Sequence, residues 1–138
     1  MEPRFVDTSD GMVMDNETGL VWCREDSWQI LHEYLDFTEA LAFVDDMNKK
    51  DFLGQHDWRI AEKEEIEKLY MQDNVIIGRS NQELNLDSAF APGGGNGSWC
   101  LPFDQRAVFY YSYSSGFSQN FDQDFSQGYV RLVRLYPD

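Results

Sequence analysis

The sequence is short of basic residues, histidine, cysteine and proline. Its 138 residues hold 11 Lys and Arg against 25 Asp and Glu, with 2 His, 2 Cys and 4 Pro. The formal net charge of -14 argues against nucleic acid or an anionic membrane as partner, since both are polyanions. No apolar run approaches the roughly 20 residues that a membrane-spanning helix requires. Two cysteines are too few for a disulfide scaffold, and a chain of this length does not need one. Met1-Glu2-Pro3-Arg4-Phe5 carries no charged-then-apolar signal segment. The expected location is therefore cytoplasmic for a full-length chain, and secreted or periplasmic for one whose leader has been removed.

What is present is enough for a core. Apolar residues make up 42% and aromatics 15% of the chain, which sets disorder aside despite the charge. The length suits one domain over residues 1–138. The charge is uneven: residues 1–70 hold 18 acidic and 7 basic side chains, residues 71–138 only 7 and 4. Acidity thus characterises the first half.

Phe5-Val6, Met12-Val13-Met14 and Leu20-Val21-Trp22 read as short strands of a meander, separated by turns at Thr8–Gly11 and Asp15–Gly19. Asp36 to Lys50 reads as a helix, with Asp36 as N-cap and Glu39 completing a capping box. Phe37, Ala40, Leu41, Val44 and Met47 form its apolar stripe. A shorter helix is expected from about Glu62 to Met71, with Ile66, Leu69 and Tyr70 inward. Gln72 to Ser98 is loop-rich and ends in Gly93-Gly94-Gly95-Asn96-Gly97, which lacks the Lys-Ser/Thr of a phosphate-binding loop. The last forty residues alternate aromatics with Ser, Gln, Asn and Asp. They read as antiparallel strands turning at Ser115-Gly116 and Gln127-Gly128, with Asp124-Phe125-Ser126 among them. Tyr129 to Leu135 closes the chain as a core strand. The order is that of an α+β domain.

Chemistry-bearing clusters are sparse. Cys23 and Cys100 each follow a tryptophan in an apolar segment, which suits a buried free thiol or one structural bridge better than a nucleophile. His32, Glu33 and Asp36, or His56 and Asp57, have no recognised metal-ligand spacing. Asp104, Asn120, Asp122 and Asp124 carry oxygens suited to calcium but lack a dense calcium-loop pattern. No cofactor is expected, with calcium as the one alternative. Trp58-Arg59 reads as a core anchor with an ion pair. The aromatic-polar C-terminal segment has the composition of a contact surface, offering rigid amphipathic area with adaptable hydrogen bonding.

An ordered set of residues then resembles a known family. Arg4-Phe5-Val6-Asp7 and Asp10-Gly11-Met12-Val13-Met14-Asp15-Asn16-Glu17-Thr18-Gly19-Leu20-Val21-Trp22 open it. Phe37-Thr38-Glu39-Ala40-Leu41, Asp57-Trp58-Arg59-Ile60 and Glu64-Glu65-Ile66 continue it. Phe90-Ala91-Pro92-Gly93, Ser98-Trp99-Cys100 and Tyr129-Val130-Arg131-Leu132-Val133-Arg134 end it. This set resembles the bacterial family named for the C-terminal domain of collagen-like adhesins, the Lcl C-terminal domain, which is similar to C-type-lectin-like domains. The resemblance implies a C-type-lectin-like α+β fold with two helices and a twisted antiparallel sheet, its ligand surface on the C-terminal strands and loops. It also implies recognition of sulfated glycans and trimeric assembly, as in the adhesin members. Three departures stand out. Ala61-Glu62 replaces the family's Pro and Ser/Thr before the second helix. The lectin calcium motifs Glu-Pro-Asn and Trp-Asn-Asp are absent. Cys23 lies in the opening meander, whereas the related oxidase branch carries its reactive cysteine pair late.

The leading expectation is a non-enzymatic domain that binds a glycan or protein ligand, with a homo-oligomer as a further expectation. The expected contacts are Trp99, Phe103, Arg106, Tyr111, Tyr113, Asn120, Asp122 and Asp124: aromatics to stack or anchor, and polar groups to orient. A different class remains open, an intracellular acidic module meeting a basic partner through the helical face at Asp45, Asp46 and Glu64. A metal- or thiol-dependent enzyme ranks last.

Overall fold

The computed structural model describes residues 3–103 and 107–136. The opening meander is present as strands β1 (Phe5–Asp7), β2 (Met12–Asp15) and β3 (Leu20–Cys23). Its turns need left-handed backbone, which Gly11 (φ 90°) and Gly19 (φ 74°) supply without a Cβ clash. Arg4 clamps the second turn, its guanidinium lying 3.0 Å from each carboxylate oxygen of buried Asp15.

Asp26 caps a short helix, α1 (Ser27–Leu31), which periodicity does not announce; five residues are too few to show one. The predicted long helix is α2 (Phe37–Lys49), with the Asp36/Glu39 capping box formed at 2.8 and 2.9 Å. Its buried stripe is Phe37, Ala40, Phe43 and Met47. Leu41, expected in that stripe, is 43% exposed, because the packed face is centred one position further round the helix at Phe43. The second predicted helix is much shorter than read: α3 spans Lys63–Glu67, and the chain leaves helical geometry before Met71. Ile66 and Leu69 are buried as expected. Glu65 holds the start of α3 in place of the missing Pro and Ser/Thr, accepting the Glu62 N–H at 2.9 Å while Arg59 grips its carboxylate at 2.8 and 2.9 Å.

Short strands β4 (Ile76–Ile77) and β5 (Glu83–Leu84) pair within the loop-rich stretch. Strands β6 (Gly97–Phe103), β7 (Ala107–Ser112) and β8 (Ser118–Asp122) form an antiparallel sheet, and β9 (Val133–Leu135) joins the meander in the order β1-β2-β3-β9. Asp124-Phe125-Ser126 is not a strand. Of the expected Tyr129–Leu135 strand, only the end is laddered. The rest is a buried connector whose groups serve several neighbours: the Tyr129 carbonyl accepts from Trp99 N–H, and the Leu132 carbonyl from Cys23 N–H, each at 2.9 Å.

The sheets separate two apolar clusters. Met12, Cys23, Phe37, Phe43, Met47, Trp58, Trp99 and Tyr110 belong to one. Val13, Trp22, Ile66, Leu69, Phe90, Cys100, Tyr111 and Tyr113 belong to the other. Successive residues of β2, β3, β6 and β7 therefore bury on opposite faces, and their apolar runs do not alternate with polar residues. Trp58 is a core anchor, with Nε1 donating to the Phe52 carbonyl at 2.9 Å. The described residues thus form a mixed helix and strand architecture with few helices and antiparallel sheets.

Candidate functional site

Three of the expected contact residues have no surface to offer. Trp99 is fully buried: its Nε1 donates to the Leu35 carbonyl at 3.0 Å, and Tyr110 meets its ring edge-on at 5.1 Å. Tyr111 and Tyr113 are fully buried against each other, rings T-shaped at 5.4 Å. Arg131, also fully buried, donates from Nε to the Tyr113 hydroxyl at 3.1 Å. The sheet is covered on both faces, so these aromatics build the core. The side chain of Phe103, and Asp104 and Arg106 entirely, lie outside the described residues.

The structure does bring Asn120, Asp122 and Asp124 together. With Phe121 and Phe125 they line an open depression of about 460 Å³ along β8. Asn120, Asp122 and Asp124 are exposed and make no side-chain hydrogen bond or ion pair among the described residues. No group of three or more His, Cys, Asp or Glu among the described residues could hold a metal ion.

Phe125 also walls a neighbouring cleft of about 290 Å³, whose other walls include Tyr34, Arg79, Gln82, Asn96 and Tyr129. Sequence reading missed its central feature. The Arg79 guanidinium carbon lies 3.5 Å from the Trp28 ring centre and 5.2 Å from that of Tyr34, and Nη1 donates to the Tyr129 hydroxyl at 3.1 Å. The three aromatics touch one another with centroids 5.5 to 6.1 Å apart. Arg79 has no carboxylate partner among the described residues.

Local sequence explains how this cluster is held. The Asp26-x-x-Gln29 capping box, at 3.1 and 3.0 Å, fixes α1 and presents Trp28. The second Asp26 oxygen accepts the Gly95 N–H at 2.7 Å, and Gln29 Nε2 donates to the Pro92 carbonyl at 3.0 Å, so α1 pins the glycine loop. Gly95 lies flat against Tyr129, where a Cβ would come within 2.3 Å of the ring. Gly94 accepts the Arg79 N–H at 2.8 Å, which seats the Arg79–Asn81 turn. Ser80 and Asn81 there take left-handed φ of 59° and 60°, a strain that the anchored neighbours support. The readable signal was the capping box at Asp26.

A larger open groove, about 770 Å³, runs over the face of the β1-β2-β3-β9 sheet that carries Met12, Met14 and Val21. Val6, Met14, Val21 and Arg134 form a cross-strand row along it. Arg134 is already bound to Asp57 at 2.6 and 3.2 Å. Size alone favours this groove, but it holds few uncommitted polar groups. The cleft and depression offer more groups able to orient a ligand.

Both cysteines are free and buried, in different clusters. Burial pushes each thiol up to about 12, against partial compensation from Arg131 at Cys23 and from the Ser118 hydroxyl at Cys100.

No curated protein matches this chain. No solved structure matches it either. The family model described as the Lcl C-terminal domain matches residues 11–134, nearly the whole chain, from the β1–β2 turn to β9. The chain belongs to the Lcl C-terminal domain family.

Proposed function

We propose that residues 1–138 are one non-enzymatic ligand-binding domain of C-type-lectin-like fold that takes a saccharide in the cleft between Tyr34 and Phe125. Family membership, the antiparallel sheets and helices α2 and α3 support the fold. The observation that carries the function is Arg79, a cation fixed on aromatic faces at an open cleft and unpaired by carboxylate among the described residues, in a chain of net charge -14. An arginine left unpaired among so many carboxylates keeps its fork of donors for something else. Tyr34 is 41% exposed and offers a ring face, while Gln82 and Asn96 add donors and acceptors to the cleft. Asn120, Asp122 and Asp124 extend this surface past Phe125, and Trp99 supports it from beneath through its ring contact with Phe125, whereas Tyr111 and Tyr113 lie in the opposite cluster.

The thiols support the non-enzymatic reading, since at neutral pH both stay protonated inside the core. The helical-face alternative has less support: Asp45 and Asp46 pair with Lys49 and Lys50 at 2.9 and 3.0 Å, which leaves less free negative charge on α2.

The test is a glycan array followed by calorimetry on Arg79→Gln and Tyr34→Ala. A glycan bound by the wild-type chain and about tenfold weaker by either variant supports the cleft. A silent array, or unchanged binding by both variants, overturns it.

A further inference from the structure

Strands β6 and β8 are the outer strands of their sheet, and their free edges are treated differently. The edge of β6 is covered: Leu101 N–H donates to the Ala61 carbonyl at 2.8 Å and Trp99 N–H to the Tyr129 carbonyl at 2.9 Å. At β8 the ladder register shows which groups face outward. Ser112 N–H donates to the Phe117 carbonyl at 3.1 Å across the hairpin. Hydrogen-bonded and non-hydrogen-bonded pairs alternate along an antiparallel ladder. Stepping from that pair through Tyr111↔Ser118, Tyr110↔Gln119 and Phe109↔Asn120 turns the backbone groups of Ser118, Asn120 and Asp122 away from β7. Two contacts agree with this assignment. Ser118 N–H donates to Glu67 Oε2 at 3.1 Å, and the Asp122 carbonyl accepts from Phe125 N–H at 3.1 Å. The Ser118 carbonyl, both backbone groups of Asn120 and the Asp122 N–H have no partner among the described residues.

Edge strands are usually blunted by lysine, proline, a bulge or a covering segment. Ser118-Gln119-Asn120-Phe121-Asp122 has neither Lys nor Pro, and its register against β7 is unbroken. Phe117, 70% exposed, stands at one end, and exposed Asp122 and Asp124 at the other. Neither aspartate has an ion pair among the described residues. The surface therefore combines open backbone groups with negative charge that no described residue pairs. A second copy would bring the same aspartates and another -14 of net charge, so it complements this edge poorly.

We propose that the outer edge of β8 is a docking site for an extended basic segment of a partner protein, which adds as a fourth strand through Asn120 while its cations face Asp122 and Asp124. Main-chain hydrogen bonds would supply the attraction, and alternate side chains the selectivity. The site shares Phe125 with the saccharide cleft, and Asn120, Asp122 and Asp124 with the extension of that surface, but it does not depend on Arg79 or Tyr34.

The experiment is an amide NMR titration with a capped heptapeptide alternating Lys with Val and Thr. A twin methylated at alternate backbone nitrogens and a version with Glu for Lys serve as comparisons. Strand addition shifts the Asn120 and Asp122 amide signals, slows exchange of the Asn120 amide, and weakens about tenfold or more with the methylated twin. The Glu version does not bind, nor does the wild-type peptide to an Asp122→Lys, Asp124→Lys chain. Asn120→Pro removes only an outward donor and lowers affinity about tenfold, whereas Tyr34→Ala does not. Equal binding of the methylated twin overturns the proposal in favour of plain charge attraction. No shift at Asn120 with millimolar peptide also overturns it. Protection of Asn120 that grows with protein concentration alone assigns the edge to a second copy instead.

Discussion

The Asp26 carboxylate accepts a hydrogen bond from Gly95 N–H at 2.7 Å, joining the cap of α1 to a glycine loop 69 residues further along the chain. This one buried contact couples the helix that presents Trp28 to the loop against which Tyr129 lies. Arg79 bridges the two, on the face of Trp28 and bonded to the Tyr129 hydroxyl. Two of the groups that set the cleft, Asp26 and Gly95, are thus buried and not among the residues that line it.

Gly95→Ala tests that coupling. A Cβ there would lie 2.3 Å from the Tyr129 ring, so the ring or the loop must move. Overpacking of this kind costs about 1–3 kcal/mol, seen as a lower urea midpoint at unchanged slope. Trp28 fluorescence and saccharide binding should change with it. A variant of wild-type stability and unchanged binding would show that the ring is not confined.

Tyr34→Ala and Tyr113→Ala separate surface from core. Tyr113 is fully buried, and its hydroxyl accepts from buried Arg131. Its removal opens a cavity and leaves Arg131 Nε unpaired, a loss of about 3–5 kcal/mol. Tyr34 is 41% exposed, and its loss should cost under about 1 kcal/mol while weakening ligand. Paired chemical denaturation curves decide this, and equal losses would contradict the burial described.

Legibility in the sequence followed the range of the interactions. The meander turns are set locally by Asp10-Gly11 and Gly19, and α2 by Asp36 and Glu39, so all were readable. Aromatics alternate with polar residues from Phe117 to Ser126, but not within β7, where Val108 to Tyr111 run on without a polar residue. That run is the local sign of burial on both faces, whereas the packing of α3 against one of them comes only from tertiary contacts. Asn120 and Asp122 on β8 and Asp124 in the following turn are exposed, as polar residues in so polar a stretch are expected to be. Trp28, Tyr34, Arg79 and Tyr129 come from four separate segments, and only tertiary contacts gather them.

The two thiols report on opening of the core. Burial pushes both up to about 12, so neither ionises near neutrality and neither is reachable from solvent. A disulfide reagent at pH 8 should label neither cysteine in the folded chain and both in denaturant. Labelling without denaturant would proceed only through opening, at a rate slowed by conditions that stabilise the fold. Rapid native labelling of either thiol would contradict its burial.

Acid should destabilise the fold through three paired carboxylates. Burial alone would raise the Asp15 carboxyl, but hydrogen bonds from Arg4, the Thr18 hydroxyl and the Glu17 N–H hold it below its ordinary value. Arg59 lowers Glu65, and Arg134 lowers Asp57, each against a smaller opposing effect of burial. A carboxyl lowered in the folded state binds fewer protons there than in the unfolded state, so stability rises with pH through the window between its two values. The contribution is fully present above the unfolded values, about 3.9 for Asp and 4.3 for Glu, and is lost as pH falls through the folded ones. Denaturation free energy should therefore be level from about pH 5.5 to 8 and decline below about 4.5. Asp15 is buried while Asp57 and Glu65 are partly exposed and screened, so Asp15→Asn should flatten the acid limb more than Asp57→Asn. The reverse order would place the acid sensitivity at the chain's surface instead of in the meander.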